Sequence, residues 1–392
     1  MRICYVCHEY PPAAHGGIGT VTRTLARALV RRGHESTVVG IYPRSSHAPA
    51  YEKDQGVQVW RLSRPDGRLG WVSARFHLFR VIADWCRAGR VDLVEVPDWE
   101  GWAAGWPRLP VPVVVRLHGS VSYFAAELGQ PVRSIAYHLE RASLRRADFW
   151  CPVSRYIALR TQTLFRLPSF PGAILYNPVE PPARRSGEGR SSNQVVFVGT
   201  LTPRKGIVAL FKAWPRVLAA RADAELHVFG KDGRLSGRSM RAYLDSLLEA
   251  GPARSVRFYG HVENGAVLAA LARARLAVFP SYAESFGLAP VEAMACGCPT
   301  IYSRRGVGGE VIENGRDGLL VDPDRPAEIA EAILRLLTDD DLATRLAEAG
   351  FARVEGRFAL RTVLPQNESF YRQCLAAFSS RRNQENRNAL AG

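Results

Sequence analysis

The chain reads as an α/β protein of two units, each a parallel sheet wrapped by helices, and three observations carry that reading. Short apolar runs alternate with helical patterns along the chain, the rhythm of βαβ units. With 392 residues and 47% hydrophobic content it is long enough for two globular domains with separate cores. Between the halves, a stretch rich in proline, glycine and serine over 181–193 lacks apolar periodicity and reads as a linker. Residues 1–180 are therefore expected as the first domain and 194–365 as the second.

The elements follow in order. Residues 3–7 open as a strand, and Val21, Leu25, Ala28 and Leu29 fall at helical spacing behind it. Residues 36–41, 91–96 and 111–117 continue the first sheet. In the second half, 195–198, 225–229, 256–258, 276–279, 300–301 and 319–321 repeat the pattern. A last helix over about 366–380 would present Phe370, Tyr371, Leu375 and Phe378, and the polar tail from Ser379 onwards is expected to fray.

Composition excludes several classes. No apolar run approaches the roughly 20 residues of a membrane span, and the chain enters a strand at once, so a soluble, cytoplasmic protein is expected. Seven scattered cysteines argue against a disulfide framework and for a reducing compartment. Cys4 and Cys7 lie three apart on a strand, so they face opposite ways and cannot easily share a zinc. Asp322-Pro-Asp324 reads as a turn capping the next helix rather than a metal site. The net charge is +15, and 48 of the 52 basic residues are arginine. Residues 1–180 carry +9 of that excess. Such a surface attracts nucleic acid, anionic lipid or phosphorylated substrates, but no standard nucleic-acid motif is present, so no nucleic-acid partner is expected.

Chemistry concentrates at strand ends. In Pro280-Ser-Tyr-Ala-Glu284-Ser-Phe-Gly287-Leu-Ala-Pro290-Val-Glu292, an apolar strand precedes a loop carrying Glu284. Pro290 suits the first turn of the following helix, which carries Glu292. Amides at a helix start attract phosphate, and carboxylates accept hydrogen bonds from sugar hydroxyls, so the corner fits a sugar nucleotide. Gly199-Thr200-Leu-Thr-Pro-Arg204-Lys205-Gly206 opens the second domain, and lysine is rare, with four in the chain. His15-Gly-Gly17-Ile-Gly19 lets backbone approach a ligand, although its spacing is not that of a dinucleotide fingerprint. His118-Gly119 ends a strand, where open sheets bind ligands. Gly230 ends another, bordering the nucleotide. Asn177-Pro178 is either a turn or a substrate contact, and Glu310 is a helix-start acid that supports the site.

These motifs, with the continuation Ala293-Met-Ala-Cys-Gly297, resemble the retaining nucleotide-sugar glycosyltransferases of family 4. The resemblance implies the GT-B fold, two Rossmann-like domains facing a central cleft, with the last helix crossing back onto the first domain. It implies a retaining, metal-independent hexosyltransferase moving a sugar from a UDP- or GDP-activated donor, UDP favoured, to a hydroxyl of a glycan, lipid-linked or small-molecule acceptor, with no cofactor. By that resemblance Glu292 holds the ribose, Glu284 the sugar hydroxyls and Lys205 the diphosphate. Gly17, Gly199, Arg204, Gly230, Phe286, Gly287 and Leu288 border the donor, and His118 contacts the transferred sugar. Thr200 departs from the family's arginine, which leaves Arg204 as the nearest second cation. A nucleotide-sugar epimerase or hydrolase of the same fold, or a non-catalytic polyanion-binding protein, are the alternatives. Ile135, Leu139 and Ala142 on one stripe of 133–146, beside Arg133, Arg141 and Arg145, suggest peripheral contact with an anionic membrane. The competing reading packs that stripe on the sheet.

Overall fold

The computed structural model describes residues 1–67, 70–168, 173–181, 190–248 and 253–391. Two compact units emerge: Met1–Pro178 together with the segment from Leu360 onwards, and Val179–Ala359. Of the expected linker, 182–189 lie outside the described residues.

The first unit holds a seven-stranded sheet of β1 (Arg2–Val6), β2 (Glu35–Tyr42), β3 (Tyr51–Asp54), β4 (Val57–Ser63), β5 (Leu93–Pro97), β6 (Val113–Leu117) and β7 (Phe149–Pro152). Its order is β3-β4-β2-β1-β5-β6-β7, and every pairing is parallel except β3 with β4. Without β3 this is the doubly wound order of a Rossmann sheet, whose switch point lies between β1 and β5. β5 and β6 are buried along their whole length, as strands covered on both faces must be, and are apolar apart from Glu95 and Arg116. The sequence reading passed over β3, β4 and β7. β3 is mostly charged, and β4 interrupts its valines with Gln58 and the buried Arg61, which hides both from a search for apolar runs.

The second unit repeats the plan with β8 (Gln194–Val198), β9 (Glu225–Phe229), a small hairpin of β10 (Arg234–Leu235) and β11 (Arg238–Ser239), then β12 (Val256–Gly260), β13 (Leu276–Phe279), β14 (Thr300–Ser303) and β15 (Leu319–Val321). The parallel order β12-β9-β8-β13-β14-β15 puts its switch point between β8 and β13. Trp214, Phe197, Phe211, Leu226, Ile329 and Ile333 fill one core between sheet and helices.

The last helix runs Leu360–Ala391, longer at both ends than 366–380, and remains helical beyond Ser379. It docks on the first unit by polar as well as apolar contacts. Arg116, fully buried in β6, donates from Nε and Nη2 to the two Glu95 oxygens at 2.8 and 3.0 Å, and from Nη2 to Asn367 Oδ1 at 2.7 Å. Tyr371 donates its hydroxyl to Glu95 at 2.7 Å. Glu368 binds Arg32 and His34. Tyr371 and Cys374 are fully buried, whereas Leu375 and Phe378 are only half-buried. The helix therefore docks through Phe370 and Tyr371 of the expected face, with Cys374 buried in place of Leu375 and Phe378, and it supplies the polar partners that the buried Arg116–Glu95 pair needs.

Helix Ser134–Arg146 also differs from expectation. It packs through Glu140, Ser143 and Leu144, while Ile135 is 71% exposed. Arg141 and Arg146 donate to backbone carbonyls of Phe165, Trp106 and Pro107. Asp322 and Asp324 form a turn, Asp322 accepting from the Asp324 amide. They do not cap the next helix, whose N-cap is Arg325, and instead face Arg305. All seven cysteines are buried and unbridged. Among the described residues, no helix is long and apolar enough to cross a membrane, and no group of three or more His, Cys, Asp or Glu side chains is placed to hold a metal ion.

Candidate active site

In the second unit, the loops leaving β8, β9 and β13 are stitched together by backbone. Gly199 and Leu201 donate to the carbonyls of Phe229 and Lys231, and Tyr282 donates to the carbonyl of Arg204 at 2.7 Å. Contact this close demands glycine. A Cβ on Gly206, whose φ is 72°, would sit 1.7 Å from the Pro280 carbonyl oxygen, and one on Gly230 would sit 1.9 Å from that of Gly199.

The short turn Pro203–Lys205, closed by left-handed Gly206, aims two adjacent cations at the β13 loop. Lys205 Nζ donates to Glu284 Oε1 at 2.6 Å, and Arg204 Nη1 lies 3.8 Å from Glu284 Oε2 while donating to the Ala283 carbonyl at 3.1 Å. Burial alone would raise the Glu284 pKa, but Lys205 and Arg204 hold it below the usual glutamate value. Helix Leu288–Ala295 starts at left-handed Gly287 with no side-chain cap. Burial pushes the pKa of Glu292, half-buried in that helix, up to about 7, against the Asn264 side chain that favours its charge. One carboxylate is thus held ionised by cations, and the next is poised to lose or gain a proton near neutrality.

At the switch point of the first unit, Gly17 begins helix Gly17–Arg31. The Gly19 amide donates to Glu9 Oε1 at 2.8 Å. Buried His118 follows β6. Burial and Arg116 lower its ring pKa to about 3, so the imidazole is neutral. Its backbone amide donates to Asp98 Oδ1 at 2.9 Å, and that of Gly119 to Asp98 Oδ2 at 3.1 Å.

Both halves of the chain match known sequences. Residues 15–181 match the signature described as Glycosyltransferase Family 4, and 182–353 that described as Glycosyl transferases group 1. The D-inositol 3-phosphate glycosyltransferase of Rhodococcus jostii is 35% identical over 85% of this chain and 80% of its own. The chain belongs to glycosyltransferase family 4. The sucrose-phosphate synthase of Thermosynechococcus elongatus superposes with a TM-score of 0.78 at 23% identity, covering 96% of this chain and 99% of that one. HepE of Anabaena, solved with UDP and glucose, gives 0.70 at 19% identity over 94% and 99%. The fold is GT-B, and the protein is a glycosyltransferase.

Within this family-4 chain, Gly199, Arg204, Lys205, Gly230, Glu284, Gly287, Leu288 and Glu292 gather at the ends of β8, β9 and β13. Gly17 and His118 lie at the same end of the other sheet. The ring of Phe286, expected to border the donor, is buried edge-on against Phe358, the ring centroids 5.5 Å apart. Asn177 is buried with an unpartnered Oδ1. Glu310 starts a one-turn helix, and its carbonyl accepts from Arg353. Sequence reasoning missed Asp98, Glu140 and Asn264 as individual residues. Only Asp98 left a signal, an acid directly behind the apolar run Leu93–Pro97.

Proposed function

We propose that this glycosyltransferase transfers a hexose from a UDP-activated donor to an acceptor hydroxyl with retention at the anomeric carbon. The observation that supports it most is the convergence of Lys205 and Arg204 on Glu284 beside an uncapped helix start. A diphosphate is the anion that competes for both cations and for the helix amides. When it draws Lys205 away, Glu284 is released to accept hydrogen bonds from the sugar. Glu292, one helical turn further in, accepts from the ribose. Cations fixed before the reaction stabilise the leaving diphosphate, at about 3 kcal/mol per donor.

On this reading neutral His118 bonds the transferred sugar. As the family-4 resemblance implies, acceptor attack and diphosphate departure share one face, the leaving phosphate taking the acceptor proton. The reaction runs on cations and amides of the chain, without a metal. A UDP-bound neighbour of the same fold supports the choice of nucleotide, and a relative acting on an inositol phosphate supports a small polyol-like acceptor alongside glycan or lipid-linked ones. Exposed Ile135 near Arg133 and Arg145 supports peripheral contact with an anionic membrane.

The deciding experiment incubates the protein with a panel of nucleotide sugars, with and without acceptors, and follows free nucleotide and the anomeric proton of the fresh product by NMR. Acceptor-dependent UDP release with a retained anomer is expected. An inverted product removes the single-face mechanism, and acceptor-independent release turns the reading to a hydrolase.

A further inference from the structure

The Asp98–Gly101 turn behind β5 is strained and over-determined. Glu100 has φ 59° and ψ 3°, a left-handed conformation costly for any residue with a Cβ, and Gly101 follows at φ 58°. Three anchors hold it there. The Glu100 amide donates to Glu140 Oε1 at 3.3 Å, and the Arg75 guanidinium donates to the carbonyls of both Glu100 and Gly101. Arg75 also lies 4.6 Å over the Trp102 ring.

That turn delivers one carboxylate. Asp98 is 1% exposed, and its two oxygens accept from the amides of His118 and Gly119. Glu140 is fully buried and holds the next stretch, accepting from Val121 at 2.8 Å and Ser122 at 3.1 Å. Ser120 Oγ accepts from Tyr123. The strand-end amides of 118 and 119 therefore both terminate on the Asp98 side chain, and those of 121, 122 and 123, the first turn of helix Val121–Glu127, on Glu140 and the N-cap Ser120. Gly119 is itself left-handed at φ 101°, so the path of this loop is imposed by its acceptors. Buried acids used only for support are costly, and backbone strain that persists under several anchors concentrates at functional sites.

We infer that Asp98 is a positioning residue for sugar transfer: carried by the strained turn at the β1/β5 switch point, its carboxylate sets the His118–Gly119 backbone and so the place of the His118 ring. This rests on the reading of His118 given above. Replacing the carboxylate by an amide of the same shape turns one oxygen into a donor, which cannot pair with a backbone N–H. The turn then relaxes, while the nucleotide-binding residues of the other unit stay as they were.

The test compares wild type, Asp98→Asn, Gly119→Ala and the double variant, using kcat and KM for UDP-sugar turnover and calorimetric affinity for UDP. Asp98→Asn is expected to lower kcat about 10- to 100-fold with UDP affinity changed less than about twofold. Gly119→Ala, which disturbs the His118–Gly119 backbone directly while keeping the carboxylate, should lower kcat similarly, and the double variant should be little worse than either single one. If Asp98→Asn fails to fold, Gly119→Ala carries the test alone. Wild-type kcat in the folded variants, or a fall in UDP affinity matching the fall in kcat, overturns the inference. Wild-type turnover by His118→Ala would instead remove the reading of His118, so the two failures are distinguishable.

Discussion

Nucleotide affinity should rise with pH through neutrality because of Glu292. Its carboxyl, with a pKa raised to about 7 from the usual 4.5, must be ionised to accept two ribose hydroxyls. About a tenth of it is ionised at pH 6 and nine tenths at pH 8, so UDP should bind about tenfold more weakly at pH 6, or about 1.4 kcal/mol. Glu292→Gln should lose that step along with about 1.5–3 kcal/mol of binding. Calorimetry at pH 6, 7 and 8 on both proteins measures it, and their difference cancels the titration of the nucleotide's own phosphate. Stability should run the other way. A carboxyl that holds its proton more tightly when folded destabilises the fold as pH rises from about 4.5 towards 7, by at most about 3 kcal/mol, so Glu292→Gln should melt higher than wild type at pH 8. Identical pH slopes in the two proteins, or tighter wild-type binding at pH 6, would refute the assignment of Glu292 to the ribose.

Lys205→Ala should reduce turnover about 100-fold or more and Arg204→Ala less, since Lys205 hydrogen-bonds Glu284 at 2.6 Å whereas the Arg204 Nη1 lies 3.8 Å from it; steady-state kinetics in which Arg204→Ala is the worse variant would exchange their roles. Tyr371→Phe removes a hydroxyl bonded to Glu95 and Arg116 in a buried site and should cost about 1–3 kcal/mol in denaturant unfolding, with UDP affinity unchanged. Co-sedimentation with anionic vesicles at low salt should fall on Ile135→Glu, and equal recovery of wild type and variant would dismiss that helix as the membrane contact.

The fold was legible because both sheets are doubly wound from buried apolar strands, and such strands announce themselves without an alternating pattern. The Glu284–Glu292 corner was legible for a related reason: strand, glycine, proline and acid fall within thirteen residues, so local chain geometry brings them together. Arg204 shows where that ends. The spacing could not say whether adjacent cations point alike, and what decides it is Gly206 packed against the Pro280 carbonyl, a contact across more than seventy residues. Asp98 and Glu140 were hidden for the same reason. Their partners are backbone amides, and an amide carries no mark in the sequence of which distant side chain it will meet.

The returning helix has a consequence for the order in which the chain is completed. Val179–Ala359 is one uninterrupted segment, so everything its core requires has been synthesised before Leu360 emerges. The other unit is finished last although it begins first. Until Asn367 and Tyr371 arrive, Arg116 and Glu95 lie in a sheet whose covering element does not yet exist, with part of their hydrogen-bonding capacity unmet. A released chain truncated before residue 367 should thus carry a folded second unit and a first unit open at β6, and limited proteolysis of such truncations would show protection of the N-terminal strands appearing only in chains that retain the C-terminal helix.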